Sequence, residues 1–389
     1  MNSRVPAHPV VIRFGRLGDT ILLQPLLHKL RCRYGGKCIL VSLGDSSRVL
    51  YEGHEDVAEV RHFDKQHGSL WFNPQRLLTA LSMRAVRGAP FYICEPDVRT
   101  RTKVRPMLSL AGVPADHCVF IEDLPLRPDE HWVDWLLRFA DETPSAFDAV
   151  PRAGPGLPHA PRLEPTKAEQ NGARVWLAER GLQGRPLLLL QPANKRTMRW
   201  NGLRQADDDD KSWPVERWAG LARAMLQEMP QASVLLCGSA AEAGYLASIG
   251  GAAKHPQVIV PKEGVPLGYL RALLHTAHSM VSVDTGPAHL AAAVGCPLVV
   301  LFGNRWPSLW TPRSGVGSAV RVLGGLPQIA RVDRIGLDQV MQSWRQLPPR
   351  PESLARKLAE DALQSDGWAG CRNICRTLGI DEPTRAASS

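Results

Sequence analysis

The sequence predicts an α/β protein made of two doubly wound domains. Three observations carry this expectation. Short apolar strands alternate with helical stretches twice over, a Pro/Gly-rich stretch at 151–165 separates the two series, and 389 residues suffice for two separate cores. The expected organisation is a first Rossmann-like domain at 1–150, a linker at 151–165, a second Rossmann-like domain at 166–347, and a C-terminal helix and tail at 348–389.

In the first half, Pro9 to Phe14 (PVVIRF) reads as a buried strand. Gly15-Arg16-Leu17-Gly18-Asp19-Thr20 then turns the chain into one amphipathic helix carrying Leu22, Leu23, Leu26, Leu27 and Leu30. Glycines at this junction let backbone approach a ligand, but the spacing is not G-x-G-x-x-G, so a dinucleotide site is poorly supported. Asp19 is placed either to cap the helix or to act at the carboxyl end of the first strand, where open α/β sheets put their chemistry. Strands follow at Cys38 to Leu43, Val57 to Phe63 and Phe91 to Cys94, with a helix near Pro74 to Val86. Arg99, Arg101, Lys103 and Arg105 form the one local basic cluster, which either meets an anionic acceptor or makes a solvated face. A helix with Trp132, Trp135, Leu136, Leu137 and Phe139 closes this half, its aromatics read as core.

The second half opens with a short helix, Ala173 to Arg180, stopped by Gly181, and with the strand Leu187 to Leu190. Past a loop and the run Asp207 to Asp210, Lys211-Ser212-Trp213-Pro214 leads into a helix, Val215 to Gln227. The aspartates satisfy a metal-binding D-x-D pattern, as any four in a row must; the preferred reading is a solvated loop pairing with Lys211 and Arg204. Ser233 to Cys237 is a strand with the turn Gly238 to Glu242, followed by the strand Val258 to Val260 and the helix Leu267 to Ala277. Met280 to Val283, Asp284-Thr285-Gly286-Pro287, a small-residue helix to Val294, a Gly295 stop and the strand Leu298 to Phe302 make one βαβ unit. Pro287 suits the first helical position, leaving the amides of Thr285, Gly286 and Ala288 at a positive helix end suited to phosphate, with His289 beside it. A rigid Trp306 to Pro312 loop, a last strand at Val320 to Leu323, a helix from Ser353 to Leu363 and a polar tail complete the chain.

Composition narrows the partners. No apolar run is long enough to span a membrane and the N-terminal residues lack a signal-peptide core, so a cytoplasmic protein is expected. Eight scattered cysteines read as buried thiols; Cys371 and Cys375 are close, but no second pair completes a zinc set, and no structural metal is expected. A net charge of +9 suggests an anionic partner, yet the basic residues are dispersed without a nucleic-acid motif, which argues against nucleic acid.

VSVDTGPAHLAAAVGCPLVVLFG resembles the nucleotide-sugar signature of the heptosyltransferases, glycosyltransferase family 9, which carry D-T-G-x-x-H-x-A-A between two strands. R-F-G-R-L-G-D matches that family's N-terminal R-x-x-x-x-G-D motif and K-S-W-P its K-x-W-P, so the resemblance covers most of Val10 to Gly303. It implies a GT-B fold, two Rossmann-like domains facing across a cleft, and inverting, metal-independent transfer with no cofactor beyond an ADP-sugar donor. Carried onto this chain, Asp19 is the base and Lys211 neutralises the departing diphosphate. Asp284, Thr285, Gly286, Pro287, Ala288 and His289 hold the donor, Glu242 its ribose and Val265 the adenine pocket, with Asn194 in the phosphate loop. Arg16, Arg99, Arg101 and Lys103 are expected to meet the acceptor. The implied donor is ADP-L-glycero-D-manno-heptose and the implied acceptor the lipopolysaccharide inner core, a lipid-linked glycan, with peripheral contact to the anionic inner membrane. The alternatives are another enzyme on this scaffold, such as a nucleotide-sugar epimerase or a transferase with another donor or a protein acceptor, and a non-catalytic nucleotide or glycan binder.

Overall fold

The computed structural model describes residues 7–64, 70–96, 98–194, 197–199, 202–203, 209–378 and 381. The chain forms two compact units, Met1–Pro161 and Arg162–Ser389.

The first unit runs β1 (Val10–Arg13), α1 (Leu17–Leu22), α2 (Gln24–Tyr34), β2 (Cys38–Leu43), α3 (Ser46–Tyr51), β3 (Val57–Phe63), α4 (Pro74–Ser82), β4 (Phe91–Ile93), α5 (Arg105–Ala111), β5 (Cys118–Phe120) and α6 (Trp132–Phe139). Its five strands are parallel in the order β3-β2-β1-β4-β5. Val10, Ile12, Phe91 and Ile93 pack with Met107 and Leu108 in its core. The single helix expected after Gly15 is two: Leu23 ends α1 and caps α2, whose second residue is Pro25. A proline supplies no N–H to carry the first helix's ladder onward, so the helix restarts there.

The second unit runs α7 (Lys167–Ala178), β6 (Leu187–Gln191), the antiparallel pair β7 (Met198–Arg199) and β8 (Gly202–Leu203), α8 (Val215–Glu228), β9 (Ser233–Leu236), α9 (Ala243–Ala253), β10 (Val258–Ile259), α10 (Leu267–Thr276), β11 (Ser279–Val283), α11 (Gly286–Ala293), β12 (Leu298–Phe302), α12 (Pro307–Trp310), β13 (Val320–Gly324), α13 (Leu337–Arg345) and α14 (Glu352–Leu378). The main sheet is parallel in the order β10-β9-β6-β11-β12-β13. One of its faces packs Leu188, Leu190, Val234 and Leu236 on Trp213 and Trp218, whose rings meet edge-on at 4.8 Å. Trp213 Nε1 donates to the Ile335 carbonyl at 2.9 Å, so the indole is buried without losing its hydrogen bond.

The short helix expected at Ser353 to Leu363 is also corrected, since α14 continues to Leu378. Ala359 packs with Cys371 and Cys375 in one apolar cluster. A straight helix would separate positions twelve apart by about 18 Å, so the span Glu352–Leu378 does not run straight. Among the described residues, no helix is long and apolar enough to cross a membrane.

In both sheets the strand order grows outward from the unit's first strand and then jumps to its other side. These switch points, between β1 and β4 and between β6 and β11, leave a crevice at the strands' carboxyl ends, where open α/β sheets bind ligands.

Candidate functional site

The switch point of the first unit gathers charge. Asp19 is the third residue of α1; its Oδ2 accepts the Arg16 N–H at 2.8 Å and its Oδ1 accepts Arg13 Nη2 at 2.7 Å. Asp19 thus closes the helix end and stands, 22 % exposed, beyond the end of β1. Gly15 makes this possible, because a Cβ there would lie 2.4 Å from that of Asp19. Arg13 is buried, donates to the Cys94 carbonyl at 2.8 Å, lies 3.7 Å from the fully buried Glu95, and stands 5.2 Å from the Trp132 ring. Burial pulls the guanidinium's pKa down, but Asp19 and Glu95 more than offset it and leave it above its ordinary value. Glu95 in turn accepts the Phe14 N–H, tying the ends of β1 and β4 together.

Sequence reasoning gave no role to Arg13, although it opens the R-F-G-R-L-G-D motif, and passed over Glu95. Their signal was a charge set at, or two residues past, the end of a wholly apolar strand, a position at which a core residue gains nothing from being ionic.

The basic cluster separates by direction. Thr100–Val104 is a π-helical turn leading into α5, so its side chains fan out around a helix. Arg99 is exposed and donates to the Phe14 carbonyl at 3.4 Å, placing it at the switch point. Arg16 and Arg101 are exposed and Lys103 is half-buried. Arg105 turns away to Glu122 at 2.9 Å and to the Phe120 ring.

In the second unit, Lys211 and Asp284, far apart in sequence, come together at the head of α11. Lys211 Nζ donates to the Asp284 carbonyl at 2.8 Å and to its carboxylate at 2.5 Å. Asp284 is thus a partner for Lys211, while the N-cap of α11 is Thr285 in extended conformation (φ −148°, ψ 172°). Two expectations about this turn are corrected. Gly286 takes the first helical position and Pro287 the second. The Ala288 N–H is committed to the Thr285 carbonyl at 3.1 Å, because the first turn is wound tightly, so Ala288 offers no amide to a ligand. What faces outward is the start of the turn, Thr285 and Gly286; the Thr285 hydroxyl is buried with no hydrogen-bond partner. His289 lies buried in the same turn.

For the described half of the aspartate run, Asp209 and Asp210, the solvated loop expected is corrected. Asp209 is 1 % exposed; it accepts Asn194 Nδ2 at 3.1 Å and the Lys211 N–H at 3.2 Å, so it fastens the loop after β6 to the residue carrying the cation. Asp210 accepts the Asn304 N–H at 2.9 Å. Asp207, Asp208 and Arg204 lie outside the described residues. Asn194 itself is buried and bonded to Thr197 Oγ1, which makes it a brace for the loop.

Glu242 and Val265 are both tied to the turn at Gly238 and Ser239. Glu242 Oε2 accepts the Ser239 N–H at 2.7 Å and its hydroxyl at 2.9 Å, and the Val265 N–H donates to the Gly238 carbonyl at 3.0 Å. Gly264, at φ 76°, allows the approach: a Cβ there would sit 2.7 Å from the Gly238 carbonyl oxygen.

Two Rossmann-like units, each a parallel sheet with charged residues gathered at its switch point, give the chain the GT-B fold. Residues 184–333, all within the second unit, match the model of glycosyltransferase family 9 (heptosyltransferase). Among solved structures, the chain is similar to E. coli ADP-heptose lps heptosyltransferase II at 19 % identity and a TM-score of 0.65, covering 87 % of this chain and 97 % of that one. The glycosyl transferase family 9 structure from Veillonella parvula DSM 2008 gives 17 % identity, 0.67, and coverages of 87 % and 96 %. E. coli heptosyltransferase WaaC with ADP gives 16 %, 0.61, and 87 % and 99 %. No curated protein matches the chain.

Proposed function

We propose that the protein is an inverting, metal-independent glycosyltransferase that moves a heptose or related sugar from an ADP-sugar to a lipopolysaccharide core or similar glycan. The observation carrying this is Lys211 held over the first turn of α11, a full positive charge added to a helix's positive end. A donor diphosphate there would compete with Asp284 for Lys211 and take the Thr285 hydroxyl, with the amides of Thr285 and Gly286 and His289 close by. Preorganised donors of this kind act on the charge that develops as ADP departs, at about 3 kcal/mol each in comparable sites. Glu242 and Val265 would receive the nucleoside. The acceptor hydroxyl attacks the anomeric carbon opposite the diphosphate, the bond to the diphosphate breaks with its electron pair leaving on ADP, and Asp19 takes the hydroxyl proton. Arg16, Arg99, Arg101 and Lys103 would meet acidic groups of the acceptor, and the net positive charge suits an enzyme working peripherally on an anionic inner-membrane surface. The ADP named with one similar structure, and the ADP-heptose named with another, favour an adenine donor.

The test is product analysis with ADP-heptose and a lipopolysaccharide-core acceptor in excess EDTA. Asp19→Asn should lower kcat by about a thousandfold with ADP affinity retained, as expected for loss of a general base. Failure of ADP to bind, or transfer from a UDP-sugar in its place, would reject the donor; activity lost in EDTA and restored by Mn²⁺ would reject the metal-free scheme.

A further inference from the structure

A second cavity, of about 730 Å³, opens at the amino ends of the strands in the second sheet, the end opposite Lys211. Arg180, Arg185 and Arg376 all line it, and no carboxylate does among the described residues. Arg180 is spoken for: it lies 4.0 Å from the Trp176 ring and pairs with Glu263. Arg185 and Arg376 are exposed and contribute two positive charges to one concavity.

The cavity also holds an unsatisfied donor. Ser233, the first residue of β9, lines it at 1 % exposure, and its hydroxyl has no hydrogen-bond partner. Strand alternation gives its direction: Val234 and Leu236 face the Trp213 and Trp218 core, so Ser233 points to the other face of the sheet. A buried hydroxyl without a partner is destabilising, and two guanidinium groups lining one concavity with no carboxylate among its described residues leave positive charge to be neutralised, so one ligand would relieve both. Guanidinium groups match the oxygens of a phosphate in a two-pronged contact that a chloride ion cannot fill. The remaining wall, with Leu182, Pro186 and Ile259, is apolar and suits the body of an organic phosphate.

We propose that this cavity is a second ligand site, distinct from the donor site, which binds a phosphate group between Arg185 and Arg376 with Ser233 donating to it. The phosphate belongs either to a soluble metabolite or to a phospholipid headgroup.

The test uses the full chain, its Arg185→Gln/Arg376→Gln double variant and Ser233→Ala. Calorimetric titration with inorganic phosphate should show binding in the wild type that weakens at least tenfold in the double variant and about threefold in Ser233→Ala, with ADP affinity unaltered. Co-sedimentation with phosphatidylglycerol vesicles identifies the source. A loss of vesicle binding in the double variant, reproduced in the wild type by added phosphate, assigns the site to a headgroup; unchanged sedimentation with lost phosphate binding assigns it to a soluble ligand. Equal phosphate affinity and equal sedimentation across the three proteins overturn the proposal. ADP affinity is read separately, so failure of the donor reading would be seen independently.

Discussion

Arg13 is the residue on which the first unit's chemistry turns, because it joins the proposed base to a buried counter-charge. Replacing it by Met takes a cationic partner from the fully buried Glu95, and breaking a buried pair from one side costs about 3–5 kcal/mol. Urea denaturation should show that loss, and adding Glu95→Gln to Arg13→Met should recover most of it. Transfer activity should not recover, since Asp19 would still lack the contact that orients it. A double variant restored in both stability and kcat would reduce Arg13 to a structural ion pair. Gly15→Ala probes the same geometry without changing charge: a methyl group 2.4 Å from the Asp19 Cβ must push the helix end aside. Displacement of about 1 Å costs up to a hundredfold in rate. Steady-state kinetics should therefore show kcat falling tenfold or more while KM for the donor stays near the wild-type value.

At the level of elements, what the sequence disclosed was mostly periodicity and punctuation. β2, β3 and β12 fall on the expected residues, and the glycine and proline signals around α11 mark that turn. Position within the turn was less legible, because whether an amide is free depends on how tightly the first turn winds, which no spacing encodes. The partners of Arg13 and Lys211 were illegible for another reason: Glu95 and Asp284 are brought in by sheet topology from 82 and 73 residues away, and the burial of Asp209 likewise depends on tertiary packing. One buried residue of α10 gives an element-scale prediction. His275 is held neutral, its pKa lowered to about 4, chiefly by burial and further by the Arg350 and Lys357 charges; its bond to the Val294 carbonyl and the Glu164 charge act the other way. The unfolded chain, titrating near 6.5, takes up a proton that the folded one refuses. Stability from this group is therefore complete above pH 6.5, falls as the pH drops toward 4, and then levels off, an overall loss of about 3 kcal/mol. Urea midpoints at pH 7.5 and 5.0 should differ less for His275→Gln than for the wild type; an unchanged difference would show that His275 is not the group that titrates.

For the whole molecule, the physical consequence of two cores is that donor binding should stabilise one of them by itself. Val10, Ile12 and Phe91 belong to one core, Leu188, Trp213 and Trp218 to the other, and each proposed donor contact, from Asn194 to His289, lies in the unit Arg162–Ser389. A ligand that binds only the folded form of that unit raises its stability by RT ln(1 + [L]/Kd), about 2.7 kcal/mol at a hundredfold excess over Kd. For a unit of this size each kcal/mol moves the midpoint by about 2–4 °C, so ADP should raise one transition by roughly 5–10 °C. Differential scanning calorimetry of the full chain should thus resolve two transitions, of which saturating ADP moves one and leaves the other in place. Lys211→Ala should abolish the shift, because it removes the cation facing the diphosphate, whereas Asp19→Asn should leave it intact. If ADP moved both transitions together, the two units would unfold as one body and the donor's binding energy would be shared across the chain. If Asp19→Asn abolished the shift as Lys211→Ala does, the first unit would be part of the nucleotide site, and the division of labour proposed for the two sheets would fall.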